Sequence, residues 1–194
     1  MTEMRSGLPI LLFETGQALG EWLGAQPPDA AGVWLRFAKK GAHLSSLTKA
    51  EAIDQALCHG WIDGQLDKYD AASWLIRFTP RKARSKWSEV NRNRAMELII
   101  DGRMTKRGLA EIEAAKADGR CDSAYAPAST ATVPPDLQEA FDHSPKAAAF
   151  FATLTGANRY AILYRIAAVK RAETRARKIA QFVAMLERAE TIHG

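Results

Sequence analysis

Cysteine is scarce, with only Cys58 and Cys121 in 194 residues. That excludes a disulfide-stapled fold and a four-cysteine zinc site, and it fits two reduced thiols in a cytoplasmic protein. Long apolar runs are missing as well. No stretch approaches the roughly 18 uncharged apolar residues of a membrane span, so no membrane insertion is expected. The short run over residues 8–13 is closed by Glu14 and is too brief for a secretion-signal core, which again points to the cytoplasm. The four histidines, at 43, 59, 143 and 193, match no metal-ligand spacing. No metal and no cofactor are expected. A P-loop, a G-x-G-x-x-G turn and a G-x-S-x-G elbow are all absent. Cys58 and His59 are neighbours, so on a helix they point roughly 100° apart and cannot act together as nucleophile and base. No catalytic residue is assigned.

What is present is ordinary in amount and uneven in place. Apolar residues make up 47% and charged residues 25%, close to a globular average, in a chain long enough to bury a core. The net charge is +5. Residues 77–94 hold seven Lys and Arg against Glu89, and residues 170–178 hold five against Glu173. Two basic islands therefore sit in a chain that is otherwise acidic. Such islands suit an anionic partner or a structural ion-pair network.

The segment CDSAYAPASTATVPP, residues 121–135, is rich in Ala, Ser, Thr and Pro and lacks an apolar period. It reads as a linker or extended loop. The expected organisation is an α+β main domain over 1–120, the linker over 121–135, and a helical segment over 136–194. Alternation in GVWLRFAKKG, with Val33, Leu35 and Phe37 on one face, predicts a half-buried strand. Thr48 and Glu51 have capping-box spacing, opening a helix that stops at Gly60. WIDGQLD and AASWLIRFTP predict two paired strands, the second ended by Pro80. A helix from Ser88 with Val90, Met96 and Ile99 at helical spacing, and another from Thr105 with Leu109 and Ile112 inward, complete the first part. Beyond the linker, Ser144-Pro145 caps a helix, residues 156–158 form a turn, and Ile179, Phe182, Val183 and Leu186 mark an amphipathic final helix. The fold class is α+β: a small antiparallel sheet packed with helices, followed by a mostly helical C-terminal third.

Chemistry-bearing residues are densest between Cys58 and Asn91. Pairing of the two strands would set Asp63 near Arg77, with Arg81 just past the strand end. The candidate ligand-binding set is Trp61, Asp63, Arg77, Arg81, Ser85, Trp87 and Asn91. A carboxylate, guanidinium groups and indole faces in one hollow would suit an anionic or planar ligand. The same residues also fit a structural ion pair, core tryptophans and helix caps. Trp74, Phe78 and Trp87 interleave with the first island, so stacking and phosphate contacts with nucleic acid are a lesser alternative.

ALCHGWIDG, RFTPRKARSKWSEVNRNRAMELIIDGRMTKRG and AAVKRAETRARKIAQFV resemble the YdeI/OmpD-associated, or bacteriocin-protection, family over residues 20–186. The A-L-C-x-G-W-I-D-G pattern falls on Ala56, Leu57, Cys58 and Gly60 to Gly64, with His59 where an aromatic is more usual. F-T-P-R falls on Phe78, Thr79, Pro80 and Arg81; S-x-W-S-x-x-N on Ser85, Trp87, Ser88 and Asn91; T-R-x-R on Thr174, Arg175 and Arg177. The resemblance implies survival under antimicrobial-peptide or bacteriocin stress and association with an outer-membrane porin in the periplasm. It brings no enzyme chemistry. The expected function is that of a non-enzymatic, cytoplasmic, stress-associated binding protein with an anion site, its partner an anionic small molecule or a protein. Two alternatives stand beside it: an enzyme using Asp63 or Asp67 with Arg81, and an interaction module docking through Arg175, Arg177 and the last helix.

Overall fold

A computed structural model describes residues 2–193. The chain divides into two compact units, the first ending at Ala124 and the second beginning at Tyr125.

The first unit is built on five strands: β1 (Met4–Arg5), β2 (Leu8–Leu11), β3 (Val33–Ala38), β4 (Trp61–Lys68) and β5 (Ser73–Pro80), in the order β1-β2-β3-β5-β4. All neighbours are antiparallel except β2 and β3, which run parallel. That one pair departs from the all-antiparallel sheet expected. A parallel neighbour needs a crossover, and α1 (Gly16–Ala25) supplies it. Sequence reasoning missed α1 because Gly16, Gly20 and Gly24 lower its helix propensity. Their spacing puts all three on one face, against Gln55 of α2 (Lys49–Cys58) and His59, which caps its C-terminus. A Cβ at Gly20 would lie 2.6 Å from Gln55 Oε1.

Val33, Leu35, Phe37, Ile76, Phe78 and Trp61 face α1 and α2 and form the main core. The opposite face is covered too, by Leu8, Trp34 and Leu75, so β3 is buried on both sides rather than half-buried. A further core joins α2 to α3 (Glu89–Ile100) and α4 (Lys106–Ala117) through Leu57, Cys58, Trp87, Leu98, Ile112 and Cys121. The helices expected here are present, capped by Thr48, Ser88 and Thr105. Ile112 of α4 is buried as expected, and Ala95 and Leu98 are the buried residues of α3, while Val90, Met96 and Leu109 are exposed. In α3 the large, helically spaced side chains are not the buried stripe, which Ala95 and Leu98 form instead.

Gly108 shows how close. A Cβ on it would lie 2.3 Å from the Cys58 carbonyl oxygen. That same oxygen accepts from Thr105 N at 3.1 Å and Thr105 Oγ1 at 2.6 Å.

The second unit packs α5 (Pro135–Asp142), α6 (Pro145–Thr153), α7 (Gly156–Ala167) and α8 (Ala172–Glu187) around Leu137, Phe141, Phe151, Ile162, Ile166, Phe182 and Leu186. Residues 156–158, expected as a turn, are instead the first turn of α7, capped by Thr155. Arg175 pairs with both Asp136 oxygens and donates from Nη1 to the Ile166 carbonyl, so one side chain ties α5, α7 and α8. The 121–135 stretch is split between the units. Cys121 is buried in the first, and Ala131 and Val133 pack on the core of the second.

Two stability effects follow from this packing. Gly108→Ala gains about 1 kcal/mol of helix propensity, but overpacking against backbone costs about 1–3 kcal/mol. Thermal unfolding of Gly108→Ala should therefore show a lowered Tm. Gly156→Ala, where nothing lies within 4 Å of the new Cβ, should leave Tm unchanged or slightly raised. The second effect concerns acid. Arg94 donates to both Asp54 oxygens and Arg103 adds a third donor, and these bonds hold the Asp54 carboxyl below its ordinary range despite desolvation. A carboxyl with a depressed folded-state pKa stabilises above its unfolded value and loses that contribution as pH falls through the folded one. Tm measured downward from about pH 5 should accordingly fall less steeply in Asp54→Asn than in the unaltered protein.

Candidate anion site

The candidate residues cluster around the meeting of β4, β5 and the loop after Pro80, but not in one hollow. Trp61 opens β4 opposite Pro80 and is fully buried against Trp22, ring centroids 5.9 Å apart. Asp63 lies opposite Phe78. Successive strand residues point to opposite faces, so Asp63 shares the face of Phe78, and Arg77 lies on the other. The expected Asp63–Arg77 meeting is therefore not formed. The cause is register: the pairing that begins at Trp61–Pro80 sets Asp63 opposite Phe78, and Arg77 sits beside Trp34 of β3.

Arg81 leaves the strand with its backbone N–H bonded to the Gly60 carbonyl at 2.8 Å. Its side chain is buried, 6% exposed. The guanidinium lies 3.6 Å from the Trp87 ring centroid, and Nη1 donates to the Lys86 carbonyl at 3.2 Å. A planar cation stacked on indole is held in one orientation. Trp87 is thus a buried support and not an open wall. Both Trp61 Nε1 and Trp87 Nε1 are buried donors with no hydrogen-bond acceptor among the described residues. Ser85 accepts from the Lys82 N–H through Oγ, and its carbonyl accepts from Arg120 Nη1. It shapes the 82–85 turn rather than capping a helix. Asn91 donates its N–H to Ser88 Oγ in the first turn of α3.

One cleft opens here, with a volume of about 560 Å³. Arg77, Arg81 and Lys82 line it together with Asp29, Gln65 and Thr79. Of the seven candidate residues, only Arg77 and Arg81 belong to this lining. Sequence reasoning missed Asp29 and Gln65. The Pro27-Pro28-Asp29 loop carried a turn signal, but nothing tied it to β5. Lys82 had been counted only as part of the charge island.

The enzyme alternative required Asp63 or Asp67 beside Arg81. Asp67 lies opposite Leu75 and pairs with Arg5 at 2.6 Å. Arg81 lies six residues beyond Leu75, about 20 Å of extended chain. Neither carboxylate lines the cleft. Among the described residues no three His, Cys, Asp or Glu side chains gather where a metal ion could be held, and no helix is long and apolar enough to cross a membrane.

Residues 11–111, just over half of the sequence, match the family model described as a domain of unknown function, DUF8412. The chain belongs to the DUF8412 family. The GWIDG and FTPR motifs and the cleft all fall within this DUF8412 match. Residues 130–189 match a second family model, described as Bacteriocin-protection, YdeI or OmpD-Associated. The T-R-x-R motif falls there, and its Arg175 is the tie between α5, α7 and α8. No curated protein and no solved structure matches the chain.

Burial pushes both thiols of this DUF8412 protein up, so Cys58 and Cys121 are protonated at neutral pH and are poor nucleophiles. A chromogenic disulfide reagent should label neither in the folded protein and both after unfolding in guanidinium. Rapid labelling of Cys58 in the native state would contradict this.

Proposed function

We propose that this is a binding protein of bacteriocin-protection type whose first unit holds a small anionic ligand in the cleft beside Pro80. The bacteriocin-protection part rests on the family match of residues 130–189. The charge of the cleft carries the anion part: Arg77, Arg81 and Lys82 face a single carboxylate, Asp29. Arg77 and Lys82 make no ion pair among the described residues. Arg81 is already fixed on Trp87, so little side-chain entropy is lost when it meets a ligand. The volume suits a small-molecule site. Asp29 favours a ligand that also carries a hydroxyl or amine.

Two observations favour a small anion over nucleic acid. Sequence-tolerant binding of single strands uses exposed aromatic platforms. Trp61 and Trp87 are buried, and the cleft lining contains no aromatic ring.

Calorimetric titration with inorganic phosphate, glycerol phosphate and citrate tests the reading, with a labelled single-stranded DNA oligonucleotide run by anisotropy alongside. Saturable binding of at least one small anion is expected. It should weaken about tenfold or more in Arg77→Gln/Lys82→Gln, given that charge-assisted hydrogen bonds contribute about 1.5–3 kcal/mol. No heat with any small anion at low salt, or unchanged affinity in the double variant, would overturn it. Tight, steeply salt-dependent DNA binding without small-anion binding would put nucleic acid in its place.

A further inference from the structure

We infer that the second unit carries a docking groove for a basic amphipathic helix, lying between α5 and α8. The groove has a volume of about 660 Å³. Its floor is made of Ala140, Ala176, Ala180, Ile179 and Val183. Small side chains along two adjacent helices let a third helix come within the 8–10 Å of ordinary helix packing. Ile179 and Val183 offer it an apolar contact.

The rim says what kind of helix. Asp136, Glu139 and Glu187 line the groove, and Arg175 is its only Lys or Arg. From Tyr125 onward the sequence has nine Lys and Arg but six Asp and Glu. Half of that unit's acids therefore border one groove on an otherwise basic surface. Arg175 is bound to both Asp136 oxygens, so these two charges cancel locally. Glu187 accepts from Ser144 Oγ at 2.6 Å, which fixes its position and leaves its charge. Glu139 is exposed on α5 and makes no ion pair among the described residues. The groove thus reverses the sign of its surroundings.

An apolar floor bordered by the Glu139 and Glu187 carboxylates complements a helix that has one apolar face flanked by Lys or Arg. It repels a small anion, so this groove and the cleft of the first unit call for opposite ligands. α5 is eight residues long, about 12 Å of rise, enough to seat two turns of the incoming helix.

The test uses the full chain and fluorescein-labelled Leu/Lys amphipathic peptides, read by anisotropy at low and near-physiological salt. Saturable binding of the Lys peptide is expected. Analogues with Gln in place of Lys should bind about tenfold more weakly, and Glu analogues not at all. Glu139→Lys should weaken binding several-fold. Ala180→Phe, an exposed position on α8, should weaken it further by filling the floor, with circular dichroism confirming the fold. Arg77→Gln/Lys82→Gln should bind the peptide normally, which separates this groove from the anion cleft. The proposal is overturned if the Lys peptide does not bind, if the Gln peptide binds equally well, or if both groove variants bind like the unaltered protein. Sedimentation showing self-association abolished by Ala180→Phe would make the occupant a second copy and overturn it as well.

Discussion

The carbonyl of Cys58 accepts two hydrogen bonds from one residue, Thr105, while Gly108 passes so close that no side chain fits between. Two residues on, the carbonyl of Gly60 accepts from Arg81 N–H. The last turn of α2 thus satisfies carbonyls that a helix terminus leaves without intrahelical partners. In doing so it joins α4, the start of β4 and the end of β5. Gly60 takes φ +71°, the left-handed conformation that lets the chain leave the helix and enter β4 at once. The position of Arg81, and with it one wall of the cleft, depends on that exit.

This junction gives the unusual C-H-G-W-I-D-G run a physical meaning. Cys58 is buried between helices. His59 lies against Gly20 and Gly24 of α1, its Nδ1 3.0 Å from the Gln55 carbonyl, and Trp61 fills the core beside Trp22. The residues that looked most like chemistry are therefore mostly architecture. The density of unusual residues was real, but its cause is close packing.

Local signals read well from the sequence. Thr48, Ser88, Thr105 and Ser144 all cap the helices they were expected to open, because a cap depends on residues within one turn. β3 was evident from alternation, and β4 and β5 were expected as two short paired strands. What failed was non-local. The parallel β2–β3 pair, the glycine face of α1 and the inward face of α3 are set by partners far along the chain. The cleft illustrates the same limit. Arg77 and Arg81 were visible as charges, whereas Asp29 enters from a loop whose neighbours only the folded sheet determines. Asp63 was misplaced by one position of register, since pairing with Phe78 rather than Arg77 puts its side chain on the other face.

The basic excess of the chain also has to be divided before it can be interpreted. Arg94 and Arg103 meet Asp54, Arg36 meets Asp70, Arg5 meets Asp67 and Arg175 meets Asp136. Arg92, Arg107 and Arg120 donate to backbone carbonyls of Cys121, Gln26 and Ser85, each far away in sequence. The planar, multiply donating guanidinium suits this cross-linking better than a lysine would. Half of the sixteen arginines are therefore ties between segments, and the net charge says little about partners. What matters is where a local sign stands out from its surroundings: cations gathered at the first unit's cleft, and carboxylates gathered at a groove on the basic second unit. Opposite local fields on the two units suit two different ligands better than one extended polyanion, which would be drawn to the cleft and repelled by the groove.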